Sequence, residues 1–266
     1  MLCLITGATG GLGKSFVYEC AKRGCDLILS ATNQGRFDTL KEEVKGKYPN
    51  INIYAKECKL DKQESRTELF DYLTQNNLKP NMLINNAGYI LEGSVNGTGL
   101  DEINSCIDVN ISGTMALTYW FINNRDNSSR AYILFVSSMA GYYPMPQMAT
   151  YASTKAFLTH MAVALRNELK DKNIFVTAVC PGSMATNDAM KRSIKSQGVG
   201  GKLSLQSTEK IARVGINKVF KNRPIWVPGG FNKLMIFFSK IFPKKLIASV
   251  VGARWRKCEK KRGEYR

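Results

Sequence analysis

Short aliphatic or β-branched runs alternate with longer amphipathic stretches along most of the chain. The short runs are residues 2–5, 26–30, 51–55, 82–85, 131–137 and 175–180, and the longer stretches are 11–23, 34–47, 63–76, 100–124 and 151–171. Such alternation is typical of β-α-β units, whose crossovers return the chain to the same edge of a parallel sheet. The pattern predicts an α/β fold: a doubly wound, Rossmann-like parallel sheet in a single domain over residues 1–266.

Two regions depart from this alternation. Residues 187–206 are weakly periodic and rich in glycine, and they follow a strand at the carboxyl edge of the sheet, where long insertions usually cover a site. They are therefore predicted to form a substrate lid, followed by a helix that begins at a Ser207 or Thr208 cap. Residues 229–266 form a C-terminal helical extension, apolar at first and then basic.

The charge balance indicates an anionic partner. The chain of 266 residues has 38 Lys and Arg against 21 Asp and Glu, a formal charge of +17. Nucleotide cofactors, acidic substrates, anionic lipid and nucleic acid all satisfy that charge, which governs encounter rather than fold.

The cysteines and the N-terminus indicate a cytoplasmic protein. None of the 7 cysteines forms a C-x-x-C pair, and the first strand begins too early to leave room for a signal segment. No apolar run reaches the roughly 18–20 residues of a membrane span. No cluster of His, Cys or Asp has the spacing of metal ligands, so no metal is expected.

A glycine-rich loop follows the first strand. It reads Thr6-Gly-Ala-Thr-Gly-Gly-Leu-Gly13 and leads into a helical pattern. A dinucleotide pyrophosphate needs backbone N–H groups at a helix N-terminus and no side chains in its way. Gly7 would allow the tight turn, Gly11 the close approach of the cofactor, and Gly13 the packing of helix on strand. The alternative is a glycine-rich turn that binds nothing.

The end of the second strand bears on the choice of cofactor. An acidic residue there favours the free ribose hydroxyl of NAD(H), whereas this chain has Ser30-Ala-Thr-Asn33, followed by Arg36. The missing carboxylate favours NADP(H), with NAD(H) as the alternative. Arg36 could also be an ordinary solvent-exposed side chain that does not contact the cofactor.

Tyr151 and Lys155 form the candidate catalytic pair. Their spacing of four residues places them one helical turn apart on the same face. A phenol with a pKa near 10 is a poor acid or base at neutral pH unless a nearby cation stabilises its phenolate, a role that Lys155 could supply. Ser138, at the end of the preceding strand, could hold a substrate oxygen while Tyr151 exchanges the proton. Alone, the pair could also be an ordinary exposed helix pair.

Taken in order, these motifs over residues 1–190 resemble the classical short-chain dehydrogenases/reductases. The shared motifs are the Thr6–Gly13 loop, Asn85-Asn-Ala-Gly88, Asn110, Ser138, Tyr151 with Lys155, and Pro181-Gly-Ser-Met-Ala-Thr186. The resemblance implies that Asn110, Ser138, Tyr151 and Lys155 are the catalytic residues, with Asn110 ordering a water that relays protons to Lys155. It also implies a homodimer or homotetramer.

With the glycine loop and the end of the second strand included, the expected cofactor-binding set has nineteen members. The chain departs from the family at Lys59-Leu60, where many members have Asp followed by Val or Leu. The side-chain contact of that Asp is therefore missing, and only a backbone contact from Leu60 is expected. The set is Thr6, Gly7, Thr9, Gly11, Leu12, Gly13, Ala31, Thr32, Arg36, Leu60, Asn86, Ala87, Gly88, Tyr151, Lys155, Pro181, Gly182, Met184 and Thr186.

The segment 139–148 predicts the type of substrate. Its side chains are large and apolar and, with Met184, Met190 and Ile194, would form a hydrophobic slot, unless they are core or dimer contacts. Residues 141–157, which read GYYPMPQMATYASTKAF, resemble the hydroxysteroid dehydrogenase and long-chain 3-ketoacyl reductase branch of the family. The predicted activity is therefore interconversion of a ketone and a secondary alcohol on a bulky hydrophobic and anionic substrate: a hydroxysteroid or bile acid, or alternatively a 3-ketoacyl chain.

Two further alternatives concern binding. The chain could be a non-catalytic dinucleotide sensor, which the complete set of catalytic residues disfavours. Residues 234–266 could contact a membrane surface through apolar residues and the basic tail that begins at Arg254. The preferred interpretation is a C-terminal helix that closes the substrate pocket or packs on a second subunit, with a solvated tail. No specific nucleic-acid partner is predicted.

Overall fold

The computed structural model describes residues 1–262, without the side chains of residues 189 and 259–262. The end of the predicted basic tail, residues 263–266, lies outside the described residues.

Seven parallel strands form one sheet, which confirms the predicted fold class. Their spatial order is β3-β2-β1-β4-β5-β6-β7, so the order reverses between β1 and β4, at the point where open α/β sheets bind ligands. The strands are β1 (Leu2–Thr6), β2 (Asp26–Ala31), β3 (Ile53–Glu57), β4 (Met82–Asn85), β5 (Ala131–Val136), β6 (Ile174–Val179) and β7 (Ile225–Trp226).

Helices cover both faces of the sheet. Among the described residues they are α1 (Gly11–Lys22), α2 (Gly35–Lys47), α3 (Gln63–Gln75), α4 (Leu100–Ile107), α5 (Thr114–Asn124), α6 (Ala149–Glu168), α7 (Asp188–Ser196), α8 (Gly198–Ser204), α9 (Thr208–Phe220), α10 (Gly230–Ile241) and α11 (Lys244–Arg262).

The two-residue period of the strands divides the core into two layers. Cys3 and Ile5 of β1 pack with α1, α2 and α9 on one face, whereas Leu4 packs with α3, α5 and α6 on the other. The central strands β1, β4 and β5 are buried on both faces and read as mostly apolar runs, because neither face meets water. This packing places the strand ends, and the loops that follow them, along one edge.

The structure adds three features that the sequence pattern did not predict. The stretch predicted as one helix over 100–124 is α4 and α5, separated by a π-helical segment, Asp108–Gly113. The two-residue strand β7 extends the sheet beyond β6. Residues 187–206 form two short helices, α7 and α8; the Asn187 side chain caps the first by accepting a hydrogen bond from the Met190 N–H. The predicted cap at Ser207 is present at the start of α9.

The C-terminal extension folds back on the domain as α10 and α11. Trp255 and Cys258 are buried, and the Cys258 thiol lies 3.6 Å from the carbonyl oxygen of Ser196 in α7. The prediction of a solvated tail from Arg254 onward is therefore wrong for Trp255 and Cys258, whereas the basic residues 254, 256 and 257 are exposed. Within residues 1–262, no helix combines the length and apolar character needed to cross a bilayer.

Candidate active site

A cavity of about 760 Å³ lies along the carboxyl edge of the sheet. The loops that follow the first six strands, β1 to β6, line it together with α6 and the two lid helices. All nineteen residues predicted to bind the cofactor, Tyr151 and Lys155 among them, lie on its wall, and so does Ser138.

The glycine loop has the backbone geometry that the sequence predicted. Gly7 has a φ of +60°, and a Cβ added at Gly13 would lie 1.9 Å from the Gly7 carbonyl oxygen. At Gly11, a Cβ would lie 2.9 Å from the Cβ of Thr186, so that a side chain would close the gap between the loop and that segment. Glycine is therefore required at Gly7 and Gly13 for the turn itself, and at Gly11 to keep the cavity open.

The start of α1 fits a phosphate group. Gly10 caps the helix without a side-chain hydrogen bond, and the first turn has no acidic residue. The first backbone N–H groups therefore have no side-chain acceptor, and the positive end of the helix dipole faces the glycine loop. Such a terminus, free of side chains, is suited to the pyrophosphate of a dinucleotide.

Thr6 and Asn86 join the loops after β1 and β4. The Thr6 hydroxyl accepts hydrogen bonds of 3.0 Å from the backbone N–H groups of both Asn86 and Ala87. The Asn86 amide donates to the Thr6 and Gly7 carbonyls at 2.9 and 3.2 Å. These bonds fix the wall beside the glycine turn.

The far end of the cavity lies beyond β2. Thr32 and Arg36 are exposed there and line the cavity, and Leu60 is buried on the same wall. Lys59 is not among the lining residues, but Asp61 is, and sequence reasoning missed it although it follows Leu60 directly.

Tyr151 and Ser138 meet inside the cavity. Tyr151 is only 9% exposed, and its burial raises the pKa of the phenol to about 12, although a hydrogen bond with Ser138 acts in the opposite direction. The Ser138 hydroxyl also accepts a hydrogen bond of 3.1 Å from the Ala140 N–H, which orients it at the end of β5. Tyr151 is thus a protonated hydrogen-bond donor at neutral pH.

Lys155 is buried beside Tyr151. Its Nζ donates to the Val136 carbonyl oxygen at 2.9 Å and lies 5.7 Å from the centre of the Tyr151 ring. Burial lowers the pKa of Lys155 to about 8, so the ammonium is still largely charged at neutral pH. Burial is the main cause of the raised Tyr151 pKa, and the expectation that the Lys155 ammonium makes the phenol more acidic stays a prediction.

Asn110 lies behind the cavity rather than on its wall. It is fully buried in the π-helical segment; its Oδ1 accepts from the Tyr89 N–H at 2.8 Å, and its Nδ2 donates to the Tyr89 carbonyl and the Thr154 hydroxyl at 3.0 and 2.9 Å. Both N–H groups of the amide therefore have protein partners. The side chain holds the loop after β4 against α6, and the water relay stays a prediction.

A second cavity, of about 550 Å³, adjoins the first. Helices α10 and α11 form most of its wall with apolar side chains. Six residues line both cavities: Met139, Tyr143, Met145, Gln197, Ser204 and Trp255.

The predicted hydrophobic slot is largely present at this junction. Met139, Tyr143, Met145, Met148, Met184 and Met190 line the first cavity. Tyr142 does not, because its hydroxyl points to the Cys180 thiol at 3.8 Å, and Ile194 is buried outside the lining. Sequence reasoning missed Trp255, whose only signal is an isolated aromatic residue within a basic run.

The fold and the site together define a Rossmann-type oxidoreductase. The chain belongs to the short-chain dehydrogenases/reductases: the model of the short chain dehydrogenase family matches residues 2–197, and this confirms the resemblance read from the motifs.

Curated relatives agree with this membership, and a solved structure shares the fold. A very-long-chain 3-oxoacyl-CoA reductase of Coprinopsis cinerea is 31% identical over 66% of this chain and 52% of its own length. One of Neurospora crassa is 28% identical over 94% of this chain and 73% of its own. A solved 7β-hydroxysteroid dehydrogenase has a TM-score of 0.82 and 20% identity, covering 94% of this chain and 96% of its own, which shows the shared fold.

The chain thus spans only about half the length of the first of these relatives.

Proposed function

We propose that this protein interconverts the 3-oxo group of a long-chain fatty acyl thioester and the corresponding secondary alcohol, with NADP(H) as the cofactor. The observation that carries the proposal is the apolar cavity between α10 and α11, which meets the catalytic cavity at Tyr143, Met145 and Trp255. A long acyl chain would lie in the apolar cavity while its 3-oxo group reaches Tyr151. The volume of about 550 Å³ is within the usual range for such ligand sites.

The curated relatives favour the acyl substrate over the hydroxysteroid expected first. Those from Coprinopsis cinerea and Neurospora crassa are both named very-long-chain 3-oxoacyl-CoA reductases. The solved 7β-hydroxysteroid dehydrogenase supports the fold alone, because its identity is 20%. An acyl thioester of coenzyme A also carries phosphates, which suit a chain of charge +17.

Three side chains of the cavity supply the proton chemistry. The Ser138 hydroxyl and the Tyr151 phenol, which are neighbours in the cavity, would donate hydrogen bonds to the oxygen of the keto group and so position and polarise it. Tyr151 transfers its proton to that oxygen as the alcohol forms. The neighbouring Lys155 ammonium stabilises the phenolate that is left, which then regains a proton from solvent. When bound in this cavity, NADPH would supply the hydride for the keto carbon.

The end of β2 supports NADP(H) as the cofactor. Thr32 and Arg36 line the cavity where the adenosine ribose is expected, and β2 ends without a carboxylate that would repel a ribose phosphate. The guanidinium of Arg36 can bind such a phosphate with two hydrogen bonds.

The test is an assay of the purified full chain with NADPH and a series of ketones, followed at the absorbance band of the reduced nicotinamide. Long-chain 3-oxoacyl-CoA should be reduced with a higher kcat/KM than short-chain 3-oxoacyl-CoA, ketosteroids or oxo bile acids. A preference for a steroid over every acyl substrate would overturn the proposal.

The cofactor is tested separately. Substituting Arg36→Gln should lower kcat/KM for NADPH by about tenfold and leave that for NADH unchanged, because only the phosphate contact is lost. The matched control is Lys22→Gln, in the last turn of α1 and outside the cavity lining. Wild-type protein that prefers NADH would contradict the assignment. The cytoplasmic location and the homodimer or homotetramer stay predictions.

A further inference from the structure

Helix α10 and the start of α11 carry a continuous patch of exposed apolar side chains, referred to below as the apolar patch. Its members are between 40% and 61% exposed. They are Leu234, Phe237, Phe238, Ile241, Phe242, Leu246 and Val250. The aromatic rings contact one another, with centroids 6.0 Å apart for Phe237 and Phe238, and do not reach the core. A cluster of this size is unusual on a surface that faces only water.

The sequence places these residues on one side of α10. Leu234, Phe237 and Ile241 follow the spacing of i, i+3 and i+7, whereas Asn232 and Ile236 on the opposite side are buried against the domain. The helix therefore has a complete inner contact without the apolar patch.

Basic residues border the apolar patch. Between residues 230 and 258 the sequence has seven Lys and Arg and no Asp or Glu. Lys233 and Lys240 lie four residues before and three residues after Phe237, so both neighbour its ring on the helix surface. None of the ion pairs found among the described residues involves a lysine of this region.

Two of the lysines lie where their positive charge lowers the stability of the helix that carries them. Lys244 and Lys245 open α11, where the helix dipole would favour acidic residues, and its first turn has none. Their positions are therefore not explained by helix stability, and an anionic surface beside them would offset the unfavourable charge.

The apolar cavity opens in the middle of the apolar patch. Phe238, Phe242, Leu246 and Val250 are exposed and at the same time line that cavity. If the apolar patch were buried in an apolar phase, the entrance of the apolar cavity would open into that phase.

We propose that the apolar patch docks the protein on an anionic phospholipid bilayer, with the side chains of α10 among the acyl chains and Lys233, Lys240, Lys244 and Lys245 against the headgroups. Each of these lysines is exposed. Helices with this arrangement lie in the interfacial plane of a membrane, and their affinity combines buried apolar area with attraction to anionic lipid. The cavity entrance would then face the bilayer, from which a long-chain amphiphile can enter without crossing water.

The proposal is tested by co-sedimentation of the full chain with phosphatidylcholine vesicles that contain phosphatidylserine or lack it. Binding should be strong only with phosphatidylserine and should weaken at high salt. Two double variants should each lower the bound fraction by about tenfold or more: Phe237→Ser with Ile241→Ser, and Lys244→Gln with Lys245→Gln. None of these four residues lines a cavity, so reduction of a soluble ketone should not change.

Matched variants elsewhere on the surface serve as controls. Lys170→Gln with Lys172→Gln makes the same change of charge in the turn before β6, at the opposite edge of the sheet. Val95→Ser with Leu100→Ser removes two apolar side chains that are 59% and 70% exposed. Both controls should bind vesicles as the wild type does.

Three results would overturn the proposal: no binding to the phosphatidylserine vesicles, equal binding to both vesicle types, or equal loss in the test and control variants. A wild-type dimer in lipid-free buffer that becomes a monomer with Phe237→Ser and Ile241→Ser, without vesicle binding, would assign the apolar patch to a second copy of the chain.

Discussion

A hydrogen bond of 2.9 Å from the Asn110 amide to the Thr154 hydroxyl ties the π-helical segment to helix α6. The Thr154 hydroxyl in turn donates to the Tyr151 carbonyl at 2.8 Å. At its other end the amide pairs with both backbone groups of Tyr89, in the loop after β4. A single buried side chain therefore fixes the cavity wall against the helix that carries the proton donor. π-helical turns of this kind often occur at functional sites.

Substituting Asn110→Ala should destabilise the fold and lower turnover together. It removes the acceptor of the Tyr89 N–H and leaves the Tyr89 carbonyl with only the Cys106 thiol at 3.5 Å, which costs about 1–3 kcal/mol in the free energy of unfolding. Urea unfolding measures the loss. The matched control is Asn123→Ala, which removes an exposed side chain that bonds only to the preceding helical turn, at 2.9 Å. Equal stability of the two variants would contradict the positioning role.

The glycine loop gives a prediction with its control in the same turn. Gly13→Ala should abolish cofactor binding and destabilise the protein, because its Cβ would lie 1.9 Å from the Gly7 carbonyl. Gly10→Ala should be tolerated, because a Cβ at that position would lie 3.4 Å from the same oxygen. Nucleotide-induced shifts of Tm measure both variants. An equal shift with NADPH for Gly13→Ala and wild type would refute the role of Gly13.

Local pattern predicted most of the fold and the cavity wall. Strand period, helix caps such as Ser207, and the glycine turn depend on neighbouring residues, so a single sequence shows them. The π-helical segment could not be predicted, because its residues differ little from those of an ordinary helix. Trp255 was missed because it reaches the cavity only through the return of α11 across the lid. The Tyr151 pKa depends on burial, which residue spacing does not show.

The buried ammonium of Lys155 predicts a dependence of stability on pH. Its pKa is about 8 in the folded state against 10.5 for the unfolded chain, so the unfolded state binds more protons between these values. This group should therefore increase the free energy of unfolding as pH rises from about 8 to 10.5, and that increase should be lost again as pH falls back to 8.

Lys155→Met isolates this effect. The variant should be more stable than wild type near neutral pH by about 1–3 kcal/mol, since the cost of burying the charge exceeds the hydrogen bond lost to Val136. The difference should shrink towards about pH 10. Urea unfolding at the two pH values tests this, and a variant less stable than wild type at both would disprove it. Activity should be lost at either pH.

Tyr151→Phe tests the proton donor. The phenol hydroxyl is the proposed acid, and its removal changes little volume, so ketone reduction should fall by about 10²–10⁴-fold while the Kd for NADPH stays within about threefold. Stopped-flow turnover and quenching of intrinsic fluorescence measure the two quantities. Tyr119→Phe is the control, because that side chain is 72% exposed on α5. Turnover of the Tyr151 variant within a few-fold of wild type would reject the mechanism.

The apolar cavity predicts that chain-length preference can be changed without touching the catalytic residues. Ile247 of α11 lines this cavity but not the catalytic one, so Ile247→Trp should fill part of the 550 Å³ and leave the geometry around Tyr151 intact. For long-chain 3-oxoacyl-CoA we expect kcat/KM to fall by about tenfold or more, because the binding energy lost in an apolar pocket grows with the number of displaced substrate atoms. For a short-chain substrate we expect no change. Leu234→Trp on α10, which lines neither cavity, is the control and should behave as wild type. An equal loss for short and long substrates would place the effect of Ile247→Trp on the fold, whereas unchanged kinetics for both would remove the acyl chain from this cavity.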